Sequence, residues 1–595
     1  MKQKIISMIF AVVIMVQMLS VLMLPAQAAT SGTCGSGLTW SFDSATGTLT
    51  ISGSGNMTDY ASWIKVPWYK NSGSIKNLKI SSGVTSIGAH AFEECNIKSV
   101  TIPSGVIKIG ASAFDHCSKL TSVTFGSNSR LKTIGDRAFY CCSNLPDITI
   151  PDSVTSLGNQ AFNICNKLIE KENGVSYVDK WVIGCDASVS SAVLRPDTVG
   201  IGDRAFQLAT HLTSITIPEN VRNIVFNAFS GCRRLVEVID HSSLGITVGS
   251  DSNGFIAHHA KEVHKGESKV VDKDGYKFYT HGGTNYLVCY TGSNTELVLP
   301  ADYNGETYEI NEYAFSYSGA YKSVTISSGV TSIGYSAFFS GNNLESITFA
   351  ENSKLTSIDS SAFRSCKKLT DISIPEGVTS IGEYMFYECT ALASVSVPSS
   401  VKSIGYRAFY MCKSLTDITF SANSQLEIIG EKAFYTCESL KSLEIPSSVK
   451  IIENDAFVFC YGLESVIIGQ NSKLESIGSG AFDHCDELEF IIYCDTEEDW
   501  YAVSKGTNNI KVQYHNYVDG VCSGCGDGAS VLGDANGDSK ITNADVLMIC
   551  RYIFSPELYP LNSSVADVNK DGSVTNSDLL IIYSHIYDPI QYPLG

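Results

Sequence analysis

The sequence lacks a second long apolar run and is poor in basic side chains. After the first 28 residues, no segment is apolar over the roughly 20 residues that a bilayer-spanning helix needs. Among 595 residues, 42 are Lys or Arg and 61 are Asp or Glu, which gives a formal net charge of −19. The first absence argues against membrane insertion. The second argues against nucleic acids and anionic membrane surfaces as partners, because both attract basic proteins.

The N-terminus has the pattern of a secretory signal peptide. Lys2 and Lys4 precede a largely apolar run from Ile5 to Leu24, and Ala26 and Ala28 supply the small residues of a cleavage site. We therefore expect the chain to be secreted and extracellular.

A repeat fills most of the chain. An Ala-Phe dipeptide recurs at steps that are mostly 23 or 25 residues, and Met385 replaces Ala in one copy. A period of 20–29 residues is typical of leucine-rich solenoids, in which stacked units bury one continuous core. The repeat phenylalanines are Phe92, Phe114, Phe139, Phe162, Phe206, Phe229, Phe315, Phe338, Phe363, Phe386, Phe409, Phe434, Phe457 and Phe482.

Each unit predicts two short strands. In one unit, Leu212, Ile215 and Ile217 have the spacing of an inward-facing strand, and Pro218 should end it. Val221 and Ile224 predict a second inward-facing segment before the Ala-Phe pair.

A small residue follows each repeat phenylalanine at an interval of three. Because Cys, Ala, Ser and Gly replace one another there, we expect a tight buried column in which Cys acts as a small apolar side chain. Disulfides between neighbouring units are the alternative, since disulfides are common in exported proteins. The column contains Cys95, Cys117, Cys142, Cys165, Ala209, Cys232, Ser318, Gly341, Cys366, Cys389, Cys412, Cys437, Cys460 and Cys485.

The repeat core S-I-G-x-x-A-F-x-x-C-x-x-L, as in Ser403 to Leu415, resembles the BspA-type leucine-rich repeat of bacterial surface proteins. The resemblance covers most of residues 76–493. It implies a mainly β leucine-rich-repeat solenoid that acts in adhesion or protein recognition and is not catalytic.

The repeat is interrupted twice, and its ends should be shielded by caps. Hairpins are predicted around residues 43–47, 177–183 and 281–283. The expected domains are a signal peptide at 1–28, a β-rich N-terminal cap at 29–75, a first array at 76–235 with an insertion at 166–200, a β-rich island at 236–312, a second array at 313–493, a C-terminal cap and linker at 494–530, and a small domain at 531–595.

Two twelve-residue acidic loops, 33 residues apart, precede helix-like apolar runs near the C-terminus. Oxygen-bearing side chains stand at positions 1, 3, 5, 9 and 12, and position 7 supplies a carbonyl, which is the pattern that surrounds Ca²⁺. Two calcium ions are therefore expected. The candidate ligands are Asp534, Asn536, Asp538, Lys540, Thr542 and Asp545 in the first loop, and Asp567, Asn569, Asp571, Ser573, Thr575 and Asp578 in the second.

This tandem of two loop-helix units resembles a type I dockerin over residues 531–595. The resemblance implies a small all-α, calcium-folded module that binds a cohesin domain of a scaffoldin. It would associate the chain with a cellulosome, the secreted complex for polysaccharide degradation, or with a cell surface. Position 6 is Ser539 in the first loop, where the family usually has Gly, and Gly572 in the second. The first site is therefore expected to be the weaker one.

The family's cohesin contacts come from loop positions 10 and 11 and from the following helix. On this sequence they map to Asn543, Ala544, Cys550 and Arg551 in one half, and to Asn576, Ser577, Tyr583 and Ser584 in the other. The sequence leaves open which half docks and which cohesin it binds.

Four other groups of residues are candidate sites. Tyr387, Tyr410 and Tyr435 follow the repeat phenylalanine on consecutive units and form either a ligand stripe or a packing row. The outward strand positions from Thr101 to Thr419, which are mostly threonine, are expected to pair their hydroxyls across units, and a flat, uncharged recognition face is the alternative.

His258, His259 and His264 are expected to be solvated rather than bound to metal. Cys522 and Cys525 have one nearby histidine, whereas zinc needs four ligands, so a disulfide or a hinge competes with zinc there.

The array leaves little room for a catalyst. The longest aperiodic stretch is about 77 residues, below the roughly 100 that a catalytic domain usually needs. Neither G-x-S-x-G nor H-E-x-x-H occurs. We therefore expect a non-catalytic recognition or adhesion protein whose repeats bind a protein, a glycan or a cell surface. The alternatives are a structural spacer or surface component and a protease or glycanase inhibitor.

Overall fold

The computed structural model describes residues 30–468, 471–488, 491–493, 503–505, 512–514, 517–518 and 521–522. Two compact units divide the chain after Lys269. Each is built from short strands and turns, which confirms the mainly β solenoid. In the described ranges, helices are limited to 3-10 segments at Trp63–Lys65, Tyr69–Ser74 and Asn253–Phe255, and none could cross a membrane. Residues 1–28, expected to be a signal peptide, and the expected all-α module at 531–595 lie outside the described residues.

The first unit begins with the predicted hairpin. Strands Ser31–Gly35, Leu38–Asp43 and Thr48–Asn56 are antiparallel. Strand Thr48–Asn56 then pairs in parallel with the first strands of the solenoid. Trp68 is fully buried and stacks on Phe92 at 5.8 Å between ring centroids. The hairpin and Trp68 therefore cover the open end of the repeat core.

Parallel strands line two sides of the first unit. The strands on one side are Asn77–Ile80, Ser99–Ile102, Ser122–Phe125, Ser191–Val193, Ser214–Ile217, Glu237–Asp240 and Glu262–His264. Those on the other side are Gly83–Ile87, Lys108–Ile109, Thr133–Ile134, Ser156–Leu157, Gly200–Ile201 and Asn223–Ile224. The strands Glu170–Glu172, Val175–Val178 and Trp181–Cys185 form the predicted insertion hairpin. Its last strand pairs in parallel with Gly200–Ile201 and so rejoins the solenoid.

The second unit repeats this plan. It opens with the antiparallel strands Val271–Lys273, Tyr276–His281 and Thr284–Tyr290, which include the predicted hairpin around 281–283. One side then carries Glu296–Val298, Ser323–Ile326, Ser346–Phe349, Asp371–Ser373, Ser394–Val397, Asp417–Phe420, Ser442–Ile445, Ser465–Ile468, Ile491–Tyr493 and Val512–Tyr514. The other side carries Tyr308–Ile310, Val330–Ile333, Ser357–Ile358, Ser380–Ile381, Ser403–Ile404, Ile428–Ile429, Ile451–Ile452, Ser476–Ile477 and Ser504–Lys505. A short hairpin, Tyr517–Val518 with Val521–Cys522, follows.

The repeat phenylalanines form the centre of the core. In the second unit, neighbouring rings from Phe315 to Phe482 lie 5.0–5.6 Å apart and are nearly parallel. All of them are buried. Each sequence repeat forms one rung of the solenoid. Equivalent residues of successive rungs therefore stack directly on one another, which brings every periodic position of the sequence into a column.

The turn that carries each phenylalanine forms a third row of hydrogen bonds between successive rungs, in addition to the two rows of paired strands. Residues two before and two after the phenylalanine, such as Arg407 and Met411, have positive φ values of 52° and 59°. Such a conformation costs a non-glycine residue on the order of 1 kcal/mol, and hydrogen bonds to the next rung offset it. The donor–acceptor pairs of one such turn are Arg407 N–H to Glu431 O at 3.0 Å, Phe409 N–H to Ala433 O at 2.7 Å and Met411 N–H to Tyr435 O at 2.8 Å.

The cysteine column is buried and reduced. Every cysteine whose side chain is described is a free thiol, so the disulfide alternative is not realised there. From Cys117 onwards, each cysteine of the column instead donates its thiol to the carbonyl of the phenylalanine one rung earlier, as Cys412 does to Phe386 at 3.1 Å. The prediction of a small buried side chain is confirmed, and the hydrogen bond explains why Cys is the commonest occupant.

Candidate functional site

Most of the predicted site residues lie outside the described residues. These are the twelve candidate calcium ligands between 534 and 578 and the eight candidate cohesin contacts between 543 and 584. The side chains of Cys522 and Cys525 are outside as well, so the choice between zinc and a disulfide stays open. The tyrosine row lies in the described part of the second unit.

Tyr387, Tyr410 and Tyr435 form one continuous stack. The centroids of Tyr387 and Tyr410 are 4.9 Å apart with an interplanar angle of 6°, and those of Tyr410 and Tyr435 are 4.8 Å apart at 5°. The row of hydrogen bonds between turns sets this spacing, because each tyrosine follows its phenylalanine directly. All three side chains are half-buried. The row therefore has a fixed register along the surface.

Two arginines join the row. The guanidinium carbon of Arg364 lies 4.7 Å from the ring centroid of Tyr387 and 5.4 Å from that of Tyr384. The guanidinium of Arg407 lies over Tyr406 and Tyr410, at 4.9 Å and 5.1 Å. Such cation–π contacts hold a guanidinium in place without neutralising its charge. We call Arg364, Tyr384, Tyr387, Tyr406, Arg407, Tyr410 and Tyr435 the Arg–Tyr stripe.

The stripe offers ring edges, hydroxyls and guanidinium groups to a ligand. The faces of the stacked rings are covered by one another, by Arg364 at one end and by the edge of Phe459 at the other, 5.2 Å from Tyr435. A sugar ring could not lie flat on them without separating the stack. Partial burial raises the pKa of Tyr387 and Tyr435, so these phenols are neutral hydrogen-bond donors near neutral pH.

The Nε atoms of Arg364 and Arg407 are also buried, and neither has a hydrogen-bond partner among the described residues. Sequence reasoning missed both arginines, Tyr384 and Tyr406. The available signal was the repeat itself, since Tyr384 and Arg407 each lie two positions before a repeat phenylalanine.

The outward threonines on the strand side pair with one another. Thr101 and Thr124 have their hydroxyl oxygens 3.0 Å apart, and Thr325 and Thr348 are equally close. Their hydrogen-bonding capacity is thus partly used between rungs, as the sequence predicted. This face is less suited to ligand recognition than the stripe.

Among the described residues, which include His258, His259 and His264, no group of three or more His, Cys, Asp or Glu side chains is placed to hold a metal ion. His258 pairs with Asp251. The expectation that His264 is solvated is wrong. Its Nε2 lies 2.9 Å from Oε1 of the fully buried Glu237, which also accepts from Ser268 and from the Lys269 N–H. The reason is that strand Glu262–His264 continues the parallel sheet and carries the histidine inward.

Two family models match the chain. The model for the BspA type leucine rich repeat region matches residues 62–173, 179–249, 307–425 and 379–502, which together exceed half of the sequence. The chain belongs to the BspA-type leucine-rich repeat family. The model for the dockerin type I domain matches residues 532–586, so this BspA-type protein also carries a type I dockerin. Both resemblances drawn from the sequence are therefore confirmed.

Several solved structures are similar to this BspA-type chain. A leucine rich cell surface protein from Faecalibacterium prausnitzii is 26% identical, with 67% of this chain and 96% of that chain covered and a TM-score of 0.30. A leucine-rich repeat protein from Eubacterium ventriosum is 24% identical, with 77% and 95% covered and a TM-score of 0.30. One from Bacteroides capillosus is 33% identical, with 22% and 97% covered and a TM-score of 0.19. No curated protein matches the chain.

Proposed function

We propose that this chain is a secreted, non-catalytic recognition component of a cellulosome-type assembly. Its repeat array binds an extracellular protein, glycan or cell surface, and its dockerin holds it on the cohesin domain of a scaffoldin. The presence of both a BspA-type repeat and a type I dockerin supports this division of labour, because dockerin domains bind cohesins and neither family is catalytic.

The Arg–Tyr stripe is the observation that carries the recognition role. A rung needs its phenylalanine, alanine and cysteine columns to pack, and the stripe lies outside all three. It nevertheless places aromatic side chains on consecutive rungs and holds two guanidinium groups beside them. Tyrosine and arginine are the residues that most often dominate binding energy at protein surfaces.

The chemistry of the stripe favours a ligand rich in oxygen atoms. Guanidinium groups bind carboxylates through charge-assisted hydrogen bonds, and phenolic hydroxyls donate to and accept from sugar hydroxyls. The stacked spacing of 4.8–4.9 Å repeats these groups along the surface. An acidic glycan or an acidic protein segment fits this pattern better than an apolar partner.

For the dockerin, we propose one calcium ion in each acidic loop. The first would be held by the set beginning at Asp534 and the second by the set beginning at Asp567. Calcium takes six to eight oxygen ligands, which each loop can supply with water. The cohesin would be contacted by loop positions 10 and 11 and the following helix, from Asn543 to Arg551 in one half and from Asn576 to Ser584 in the other.

Binding of the full chain to plant polysaccharides, bacterial cells and cellulosomal proteins tests the recognition role. We expect one class to bind. The double variant Arg407→Ala with Tyr410→Ala should weaken that binding at least about tenfold, as removal of central aromatic and arginine contacts usually does. Tyr335→Ala is the matched control, because Tyr335 is a 39% exposed tyrosine of the same unit outside the stripe.

Two results would contradict the recognition role. Binding to none of the three classes would favour the structural spacer. Inhibition of a protease or glycanase, rather than retention on a target, would favour the inhibitor.

A further inference from the structure

The phenylalanine column breaks once inside the first unit. Phe139 and Phe162 stack at 5.3 Å, and Phe206 and Phe229 stack at 4.7 Å. Between them, 44 residues separate Phe162 from Phe206, compared with the usual 23 or 25. The chain in this interval forms the insertion hairpin, with strands Val175–Val178 and Trp181–Cys185. One rung thus lacks its Ala-Phe turn.

A cleft occupies the place of the missing turn. It has a volume of about 380 Å³, which is within the usual range for ligand sites. One wall is the turn at 158–163, the opposite wall is the turn at 202–208, and Ser176 and Gly184 of the hairpin close the back. The two walls meet where the Asp203 N–H donates to the Leu157 carbonyl at 2.9 Å. Leu208, on the rim, is 70% exposed.

The first wall is an open row of hydrogen-bond donors. One rung earlier, the N–H groups of Arg137, Phe139 and Cys141 all donate to carbonyls of the following turn, at 2.8–3.0 Å. In the wall itself, the equivalent N–H groups of Gln160 and Phe162 have no acceptor within the described residues. Phe162 is fully buried, so its N–H lacks bulk solvent as well.

The second wall is an open row of acceptors. The carbonyls of Ala205 and Gln207 correspond to those of Ala161 and Asn163, which accept from the preceding rung. Here, across the described part of the chain, neither receives a backbone donor. Oδ1 of Asp203 is buried in the same wall and also lacks a partner among the described residues. The Phe162 N–H and the Asp203 Oδ1 are buried without a partner among the described residues. Such groups are costly, so a ligand that satisfies them would be favoured.

We propose that this cleft binds a short extended peptide segment of a partner protein in the place of the missing turn. Each edge of an extended peptide presents both carbonyls and N–H groups, from alternate residues. The carbonyls of one edge would accept from the first wall and the N–H groups of the other edge would donate to the second, as in binding by strand addition. An anion would find Arg204 in the lining, but it would satisfy only the first wall and would meet Asp203. The donors of the first wall are two residues apart, as are the acceptors of the second wall. A peptide that pairs with both walls therefore needs about four residues, each of which extends it by roughly 3.3 Å.

The lining also specifies the side chains of the segment. Gly158, Ala161, Gly184, Gly202 and Ala205 have no side chain beyond Cβ, so a peptide backbone could lie close to both walls, and the side chains that it turns inward should then be small. A lysine near the second wall would provide a donor and an opposite charge for Asp203. The expected segment is therefore rich in Ala and Ser and contains one Lys.

The test uses the full chain and the capped pentapeptide Ala-Ser-Lys-Ser-Ala with a fluorescent label. We expect saturable binding, and at least tenfold weaker binding of the same peptide with alternate backbone nitrogens methylated. Gly184→Leu should abolish binding by filling the cleft. The fold should tolerate it, because a Cβ there comes no closer than 3.8 Å to Ser176. Gly73→Leu is the matched control, since its Cβ meets only Asn96 at 4.0 Å.

A second variant separates cleft filling from general damage. Asp203→Asn should weaken binding of the lysine peptide at least threefold and leave binding of its alanine analogue unchanged. The proposal is overturned by undetectable binding at 1 mM peptide, by equal binding of the methylated peptide, or by full binding to Gly184→Leu. It is also overturned if acetate or phosphate binds the cleft and the peptide does not.

Discussion

At the scale of single residues, the cysteine column links the repeat to the pH dependence of stability. Cys366 donates its thiol to the Phe338 carbonyl at 3.1 Å and is fully buried. Burial raises the pKa of Cys366 from 9.0 to about 12 and also raises the pKa of Cys389 and Cys437 well above 9.0. Above pH 9 the unfolded chain can lose these protons, whereas the folded chain keeps them.

The protein should therefore lose stability as the pH rises from 9 towards 12. The contribution of each buried thiol to the free energy of unfolding is fully present below pH 9. Above pH 9 this contribution falls by up to about 1.4 kcal/mol per pH unit. Urea unfolding at pH 8, 9, 10 and 11 should show a falling free energy of unfolding, and Cys366→Ala should make the fall shallower. Ser318→Ala, at a non-ionising position of the same column, should leave the slope unchanged. Equal slopes for both variants would contradict the assignment.

Ser539 supports a prediction about the first calcium loop. Ser539→Gly should strengthen calcium binding at that loop by about 1 kcal/mol, or roughly fivefold, because glycine adopts positive φ without strain. Calorimetric titration of the full chain with Ca²⁺ measures the change. Gly572→Ser should weaken the second site by a similar amount. An unchanged affinity in both variants would show that position 6 does not need positive φ.

At the scale of elements, the stacked phenylalanine column contributes strongly to the free energy of unfolding. Phe409 stacks between Phe386 and Phe434 at 5.2 Å and 5.0 Å and is fully buried. Phe409→Ala should lower the free energy of unfolding by about 3–5 kcal/mol, since it removes apolar contacts and leaves a cavity. Chemical denaturation provides the measurement.

Phe226→Ala is the control for this change. Phe226 is not a repeat position and is 65% exposed, so its loss should cost no more than about 0.5 kcal/mol. Similar losses in the two variants would mean that the phenylalanine column does not carry the stability of the array.

The elements also show what the sequence could predict. Alternating apolar residues, as in Leu212, Ile215 and Ile217, correctly predict the strand Ser214–Ile217 because that signal is local. The positive-φ turns were not predicted, since residues such as Arg407 and Tyr384 adopt them for hydrogen bonds to the next rung. For the same reason, the sequence did not predict the partners of the tyrosine row, the burial of His264 beside Glu237 or the cleft. Each of these depends on which rungs become neighbours.

At the scale of the whole molecule, we propose that holding and recognition belong to different parts of the chain. The family match at 532–586 supports the holding part, and the Arg–Tyr stripe supports the recognising part. One molecule would thus connect a scaffoldin to a target. Substitutions in one part should then leave the other function unchanged.

A bridging assay on immobilised cohesin tests this central claim most directly. The full chain is captured on the cohesin with Ca²⁺, and the surface is exposed to labelled polysaccharides, bacterial cells or cellulosomal proteins. We predict that one class is retained, that EDTA releases chain and target together, and that Asp534→Ala with Asp567→Ala prevents capture. The Arg407→Ala, Tyr410→Ala chain should be captured normally but retain the target at least about tenfold less. Retention of no target, or capture that survives EDTA, would contradict the account.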